Sequence, residues 1–204
     1  MKKILPVFAY LFHPLFIPAY ATLFYFLITQ NFFYRHEIYL VFIQVLILTL
    51  LLPMSIFYLL RSLGRLKSKM VDQKERRLPL AIYSLLLLFL IRYSFSVFVV
   101  PELYYYFLGT LISTMLALTL ALFGHKASLH MAGISSLTLF TISISAYYHI
   151  QFLFLIAFFI VCAGMVGSSR LVGKTHSLGE VILGALVGII PQVALWFVWL
   201  LPAL

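Results

Sequence analysis

The sequence predicts an all-α polytopic membrane protein, one bundle of about six or seven transmembrane helices with a polar site at one membrane face. Three observations predict it. Hydrophobic residues make up 64% of the 204 residues and charged residues only 9%, against about 25% charged in soluble domains. Apolar stretches of spanning length, about 17–25 residues, recur along the chain. The net charge of +9 is gathered into a few short polar segments.

The stretches cover 4–30, 38–60, 81–100, 104–123, 128–147, 151–167 and 178–201. The first follows Lys2-Lys3 and contains Ala19-Tyr20-Ala21, a pattern that resembles a secretory leader with its cleavage site. Its apolar run continues past His13-Pro14 to Ile28, so it is read as a retained span. With 38–60 it forms two N-terminal spans within residues 1–61, ahead of a core at 62–204. Nothing divides the chain into separate domains, so 1–204 is read as one integral membrane domain. The third stretch carries Arg92, which at a span centre costs roughly 2.5–3.5 kcal/mol on insertion scales. It is expected to face the bundle or snorkel to an interface. Tyr104-Tyr105-Tyr106, Tyr147-Tyr148, Trp196 and Trp199 mark aromatic belts on the side away from the site. Gly184 and Gly188 give the last span a small-residue face suited to helix packing. Pro14, Pro18, Pro53 and Pro191 are candidate bends. The single cysteine, Cys162, lies in a span and allows no intrachain disulfide.

Lys2, Lys3, Arg61, Arg65, Lys67, Lys69, Lys74, Arg76, Arg77, Lys126, Arg170 and Lys174 are twelve of the fourteen basic residues. All twelve fall at the N-terminus or in the segments 61–79, 124–127 and 168–175. Charges in short loops along a bilayer do not suit nucleic acid, and anionic lipid head groups are their natural partners. Two crossings separate the 61–79 segment from His130, and two more separate His130 from His176. An even number of crossings returns each loop to the same face, so three polar clusters can meet.

The segment Ser169-Arg170-Leu171-Val172-Gly173-Lys174-Thr175-His176-Ser177-Leu178-Gly179-Glu180 carries the chemistry. A helix starting near Thr175 puts His176 and Glu180 on one face. The carboxylate then holds one imidazole nitrogen and leaves the other to attack, while Arg170 is suited to phosphate oxygens. That pattern reads as a phosphoryl-transfer site at a bilayer surface.

Three motifs resemble those of the type 2 phosphatidic acid phosphatase and vanadium haloperoxidase superfamily. The third, Ser-Arg, five residues, His, three residues, Asp, is matched by Ser169-Arg170, His176 and Glu180, with Glu for Asp. The second, Pro-Ser-Gly-His, looks like Ala127-Ser128-Leu129-His130. The first, Lys, six residues, Arg-Pro, looks like Lys69 and Arg76, followed by Arg77 where Pro is usual. The match spans roughly 69–190. It implies a lipid phosphatase needing no metal or cofactor. His176 would attack phosphorus, Glu180 orient it, and His130 protonate the leaving oxygen. Lys69, Arg76 or Arg77, Arg170, Ser128 and Ser169 would hold the phosphate oxygens.

Blander readings stand beside this one. His176 and Glu180 also fit a helix-end polar pair, His130 an ordinary interfacial histidine, and Lys69, Lys74, Arg76 and Arg77 a solvated lipid-facing surface. A metal site drawn from His125, His130, His176, Glu180 and Asp72 lacks any recognised ligand spacing. Expected substrates are lipid-linked phosphate monoesters or pyrophosphates. A lipid phosphotransferase or a non-catalytic bundle on the same scaffold are the alternatives. The charge bias places the site in the cytoplasm, whereas bacterial members of the family commonly work on the periplasmic side of the inner membrane.

Overall fold

Pro14 stops the first apolar stretch. Lacking an N–H, it cannot continue a helix, and the Tyr10 carbonyl closes instead on the His13 N–H at 3.3 Å. The stretch 4–30 therefore does not form one span. It forms α1 (Leu5–Leu11) and α2 (Ile17–Thr29), neither of which reaches the roughly 20 residues a crossing needs. The structure, a computed structural model, describes residues 5–66 and 73–203.

Next come α3 (Arg35–Leu46) and α4 (Leu52–Ser62), joined by a π-helical turn at Ile47–Leu51 into one continuous helix. Pro53 explains that turn, because its missing donor and its ring disturb the turn before it. The remaining helices are α5 (Gln73–Ser94), α6 (Pro101–Leu122), α7 (Leu129–Tyr147), α8 (Leu153–Val172) and α9 (Leu178–Trp196). Among the described residues six helical segments are long and apolar enough to cross a membrane: Arg35–Ser62, Gln73–Ser94, Pro101–Leu122, Leu129–Tyr147, Leu153–Val172 and Leu178–Ala203. The all-helical class is as composition predicts, and no strand occurs among those residues.

The helices gather into two compact units, Met1–Ile17 with Ala127–Leu204, and Pro18–Lys126. In the second unit α5 and α6 pack along each other. The Arg77 guanidinium donates to the last carbonyls of α6, Nε to Ala121 at 3.2 Å and a terminal nitrogen to Leu122 at 3.3 Å. Glu102 is buried in the first turn of α6 and accepts from the Tyr25 hydroxyl at 3.1 Å. Two expectations change here. The third span begins earlier than its hydropathy indicates, so Arg92 falls in the last turn of α5, not mid-span. There a cation suits the helix dipole, and it lies 5.7 Å from the centre of the Tyr93 ring. Tyr106 is fully buried and so does not belong to an aromatic belt.

In the first unit α7 is the central helix. Its buried Ser136, Thr138, Thr141 and Ser143 hydroxyls donate to carbonyls three or four residues back, which satisfies polar groups that lipid cannot. α9 lies parallel to α7, with Gly184 against Ser128 and Gly188 against Ala132. Farther along, Trp196 Nε1 donates to the Ser143 hydroxyl at 2.7 Å. α1 lies on α8, and Phe12, just past the end of α1, makes an edge-to-face pair with Phe159.

Candidate active site

α9 does not start at Thr175. It starts at Leu178, with Ser177 as its N-cap, so His176 lies just outside the helix. The expected shared helical face is therefore replaced by a capping arrangement. The Glu180 backbone N–H donates to the Ser177 hydroxyl at 3.3 Å, and the Glu180 carboxylate accepts from the Ser177 backbone N–H at 3.1 Å. The same carboxylate oxygen lies 2.9 Å from His176 Nδ1. One oxygen thus caps the helix and fixes the imidazole, and any nucleophilic role falls to Nε2. The His176 side chain is only 5% exposed, while Glu180 is 28% exposed. The Ser-x-x-Glu capping signature at Ser177–Glu180 was the signal that marks this helix start.

Ser128 is the N-cap of α7 and is fully buried. Its backbone N–H donates to the Glu180 carbonyl at 3.0 Å, which ties the second motif to the third. That contact requires Gly184, because a Cβ there would overlap the Ser128 carbonyl oxygen. His130 follows in the first turn of α7. It lies within electrostatic reach of Arg170, His13 and His176, and the Ala9 backbone hydrogen-bonds it. Ser169 is buried near the end of α8, and Arg170 follows it. The Arg170 carbonyl accepts from both the backbone N–H (3.2 Å) and the hydroxyl (3.1 Å) of Thr175, which folds the turn back. His176, Glu180, His130, Ser128, Ser169 and Arg170 all belong to the unit formed by Met1–Ile17 and Ala127–Leu204.

Two buried polar atoms in this set have no hydrogen-bond partner, Arg170 Nε and Ser128 Oγ. Buried polar groups are ordinarily satisfied, and an orphaned one costs about 1–3 kcal/mol. A guanidinium nitrogen and a hydroxyl are both suited to an anionic oxygen. The parallel α7 and α9 also bring two positive helix ends to this end of the unit. No family model, curated protein or solved structure matches the chain. Its chemistry has to be read from these side chains.

None of the first-motif residues is among the described residues of this unit. Lys69 lies outside the described residues, as does Asp72 of the metal reading. Arg76 and Arg77 are in the other unit, on α5, and Arg77 caps α6 as described. The sequence reading missed His13. It sits at the break after α1, its ring centre 5.1 Å from that of His130 and nearly perpendicular to it. An imidazole beside a helix-breaking proline inside an apolar run was the available signal.

Proposed function

We propose that this protein is a membrane-embedded phosphatase that hydrolyses a lipid-linked phosphate monoester or pyrophosphate through a phosphohistidine. The observation that carries the reading is the pair of orphaned buried atoms, Arg170 Nε and Ser128 Oγ, in the same unit as an imidazole oriented by a carboxylate. Phosphate oxygens would supply the partners those atoms lack.

In the proposed sequence His176 Nε2 attacks phosphorus, and the bond to the leaving oxygen breaks. His130, which takes up a proton as the phosphate anion binds beside it, gives that oxygen a proton. Glu180 stabilises the imidazole as it gains positive character. Water, deprotonated by His130, then attacks phosphorus, and the N–P bond breaks to release phosphate. Arg170, with the Ser128 and Ser169 hydroxyls, holds the equatorial oxygens. Glu for the family's Asp, Leu129 for its Gly and Ala127 for its Pro mark this chain's own version of the site. A site at the bilayer surface lets the acyl or prenyl tail stay in lipid.

Purified protein in detergent should release phosphate from at least one member of a panel of phosphatidic acid, phosphatidylglycerophosphate and prenyl pyrophosphate. Chelator should leave the rate unchanged and vanadate should inhibit. Strict dependence on Mg²⁺ or Zn²⁺, or no release from any member, would remove the proposal.

We also propose that the site faces the cytoplasm. Setting aside the motif cations Lys69, Arg76, Arg77 and Arg170 still leaves eight basic residues of the twelve, including Arg61, Arg65 and Lys67. Basic loops stay inside. In a Cys162→Ser background, Lys67→Cys should resist a membrane-impermeant thiol reagent in intact cells and react after lysis. Labelling without lysis would reverse the assignment.

A further inference from the structure

His13 lies outside the motifs and outside the six long helices, yet it meets the site. The Pro14 break explains how. With the Tyr10 carbonyl drawn to the His13 N–H, the Ala9 carbonyl is released from α1 and hydrogen-bonds His130. The break itself rests on α7 at Gly133, where a Cβ would come within 3.1 Å of Ile17 and 3.6 Å of Pro14. Gly133 is one turn from His130 on the same helix face. The Leu15 backbone N–H is 3.4 Å from His13 Nδ1. An Nδ1 that accepts leaves the neutral ring's proton on Nε2. The ring edge therefore meets His130 in a defined orientation.

We propose that His13 is a positioning residue for His130: its ring and the Ala9 carbonyl released beside it hold the His130 imidazole in one orientation and one tautomer. A carbonyl that engages one ring nitrogen decides which nitrogen does the chemistry. The His13 ring blocks rotation about the His130 side chain by edge-to-face packing. Burial, and after it the Arg170 charge, push His13 below its ordinary value. The ring is then neutral near pH 7 and adds no positive charge beside the proposed acid. This inference rests on the phosphatase reading for its kinetic consequences, but not for its structural ones.

Two substitutions separate the parts. His13→Asn keeps an acceptor for the Leu15 N–H but removes the ring. His13→Phe keeps a ring against His130 but removes the acceptor. On the active lipid phosphate, His13→Asn should lower kcat about tenfold with KM within about twofold, as expected for an effect confined to the transition state. His13→Phe should recover most of that loss. A structural role alone would lower both variants alike through their folded fraction. Equal loss in both, or loss in neither, overturns the proposal. The second readout is the long-range ¹H–¹⁵N spectrum of histidine rings in the full-length protein. His130 should show one fixed tautomer in wild type and in His13→Phe, and exchange between two in His13→Asn. Unchanged His130 signals in His13→Asn overturn the positioning role even where no phosphate is released. Tautomer exchange in His13→Asn together with no turnover in wild type retains the positioning role and refutes the phosphatase reading.

Discussion

Replacing His176 with alanine should cut phosphate release by about 10⁴-fold or more, as loss of a nucleophile does, with the helical bundle still folded. The side chain contributes its Nδ1 contact with Glu180, while the helix start is secured separately by Ser177 and Glu180. His130→Ala should cost about 10²–10⁴-fold, the usual range for a general acid. Glu180 gives the sharper test because its carboxylate has two duties. A Gln at that position still serves a capping box, so Glu180→Gln should preserve α9 and its stability. It removes the charge that stabilises the imidazole, and should lower kcat by about 10²–10⁴-fold. Glu180→Asp keeps the charge and matches the residue usual in the resembled family, so it should be the milder change. Circular dichroism and thermal unfolding in detergent would verify folding, and phosphate release would measure the rest. A Gln variant as active as wild type would leave the carboxylate with a capping role only.

Gly184→Ala should be strongly damaging for a single methyl outside the proposed chemistry, as should Gly188→Ala, whose Cβ would meet the Ala132 carbonyl oxygen. At Gly184 the added Cβ would meet the Ser128 carbonyl oxygen, and backbone atoms cannot rotate aside as a side chain can. Overpacking of this kind costs about 3 kcal/mol at the upper end of its usual range. α9 must then move from α7, which breaks the 3.0 Å bond between the Ser128 N–H and the Glu180 carbonyl. Activity should fall together with stability. Gly164→Ala is the control, because nothing lies within 4 Å of a Cβ there. It should be neutral or stabilising by about 0.5–1 kcal/mol, the usual gain from Gly to Ala within a helix. Thermal unfolding of Gly184→Ala and Gly164→Ala side by side would check this, and equal melting temperatures would refute the close approach.

The sequence by itself determined the helical membrane class and the place of most long helices. Twenty apolar residues in a row have few other ways to satisfy their backbone in lipid. It also determined that Ser128, His130, Arg170 and His176 could share a face, since parity of crossings needs only a count. What it left open depends on hydrogen bonds and contacts that periodicity does not encode. The Pro14 break became two short helices because the Tyr10 carbonyl turned to His13, and only packing on α7 and α8 decided where that break would rest. The capping box moved the start of α9 to Leu178, so His176 and Glu180 meet by a different geometry from a shared helical face. Gly184 was legible as a small-residue face, but its function as a seat for Ser128 was not, because that needs the register between α9 and α7. The unpartnered Arg170 Nε and Ser128 Oγ belong to the tertiary structure alone. A residue's type states what it can bond, and only the folded surroundings decide whether the bond is made.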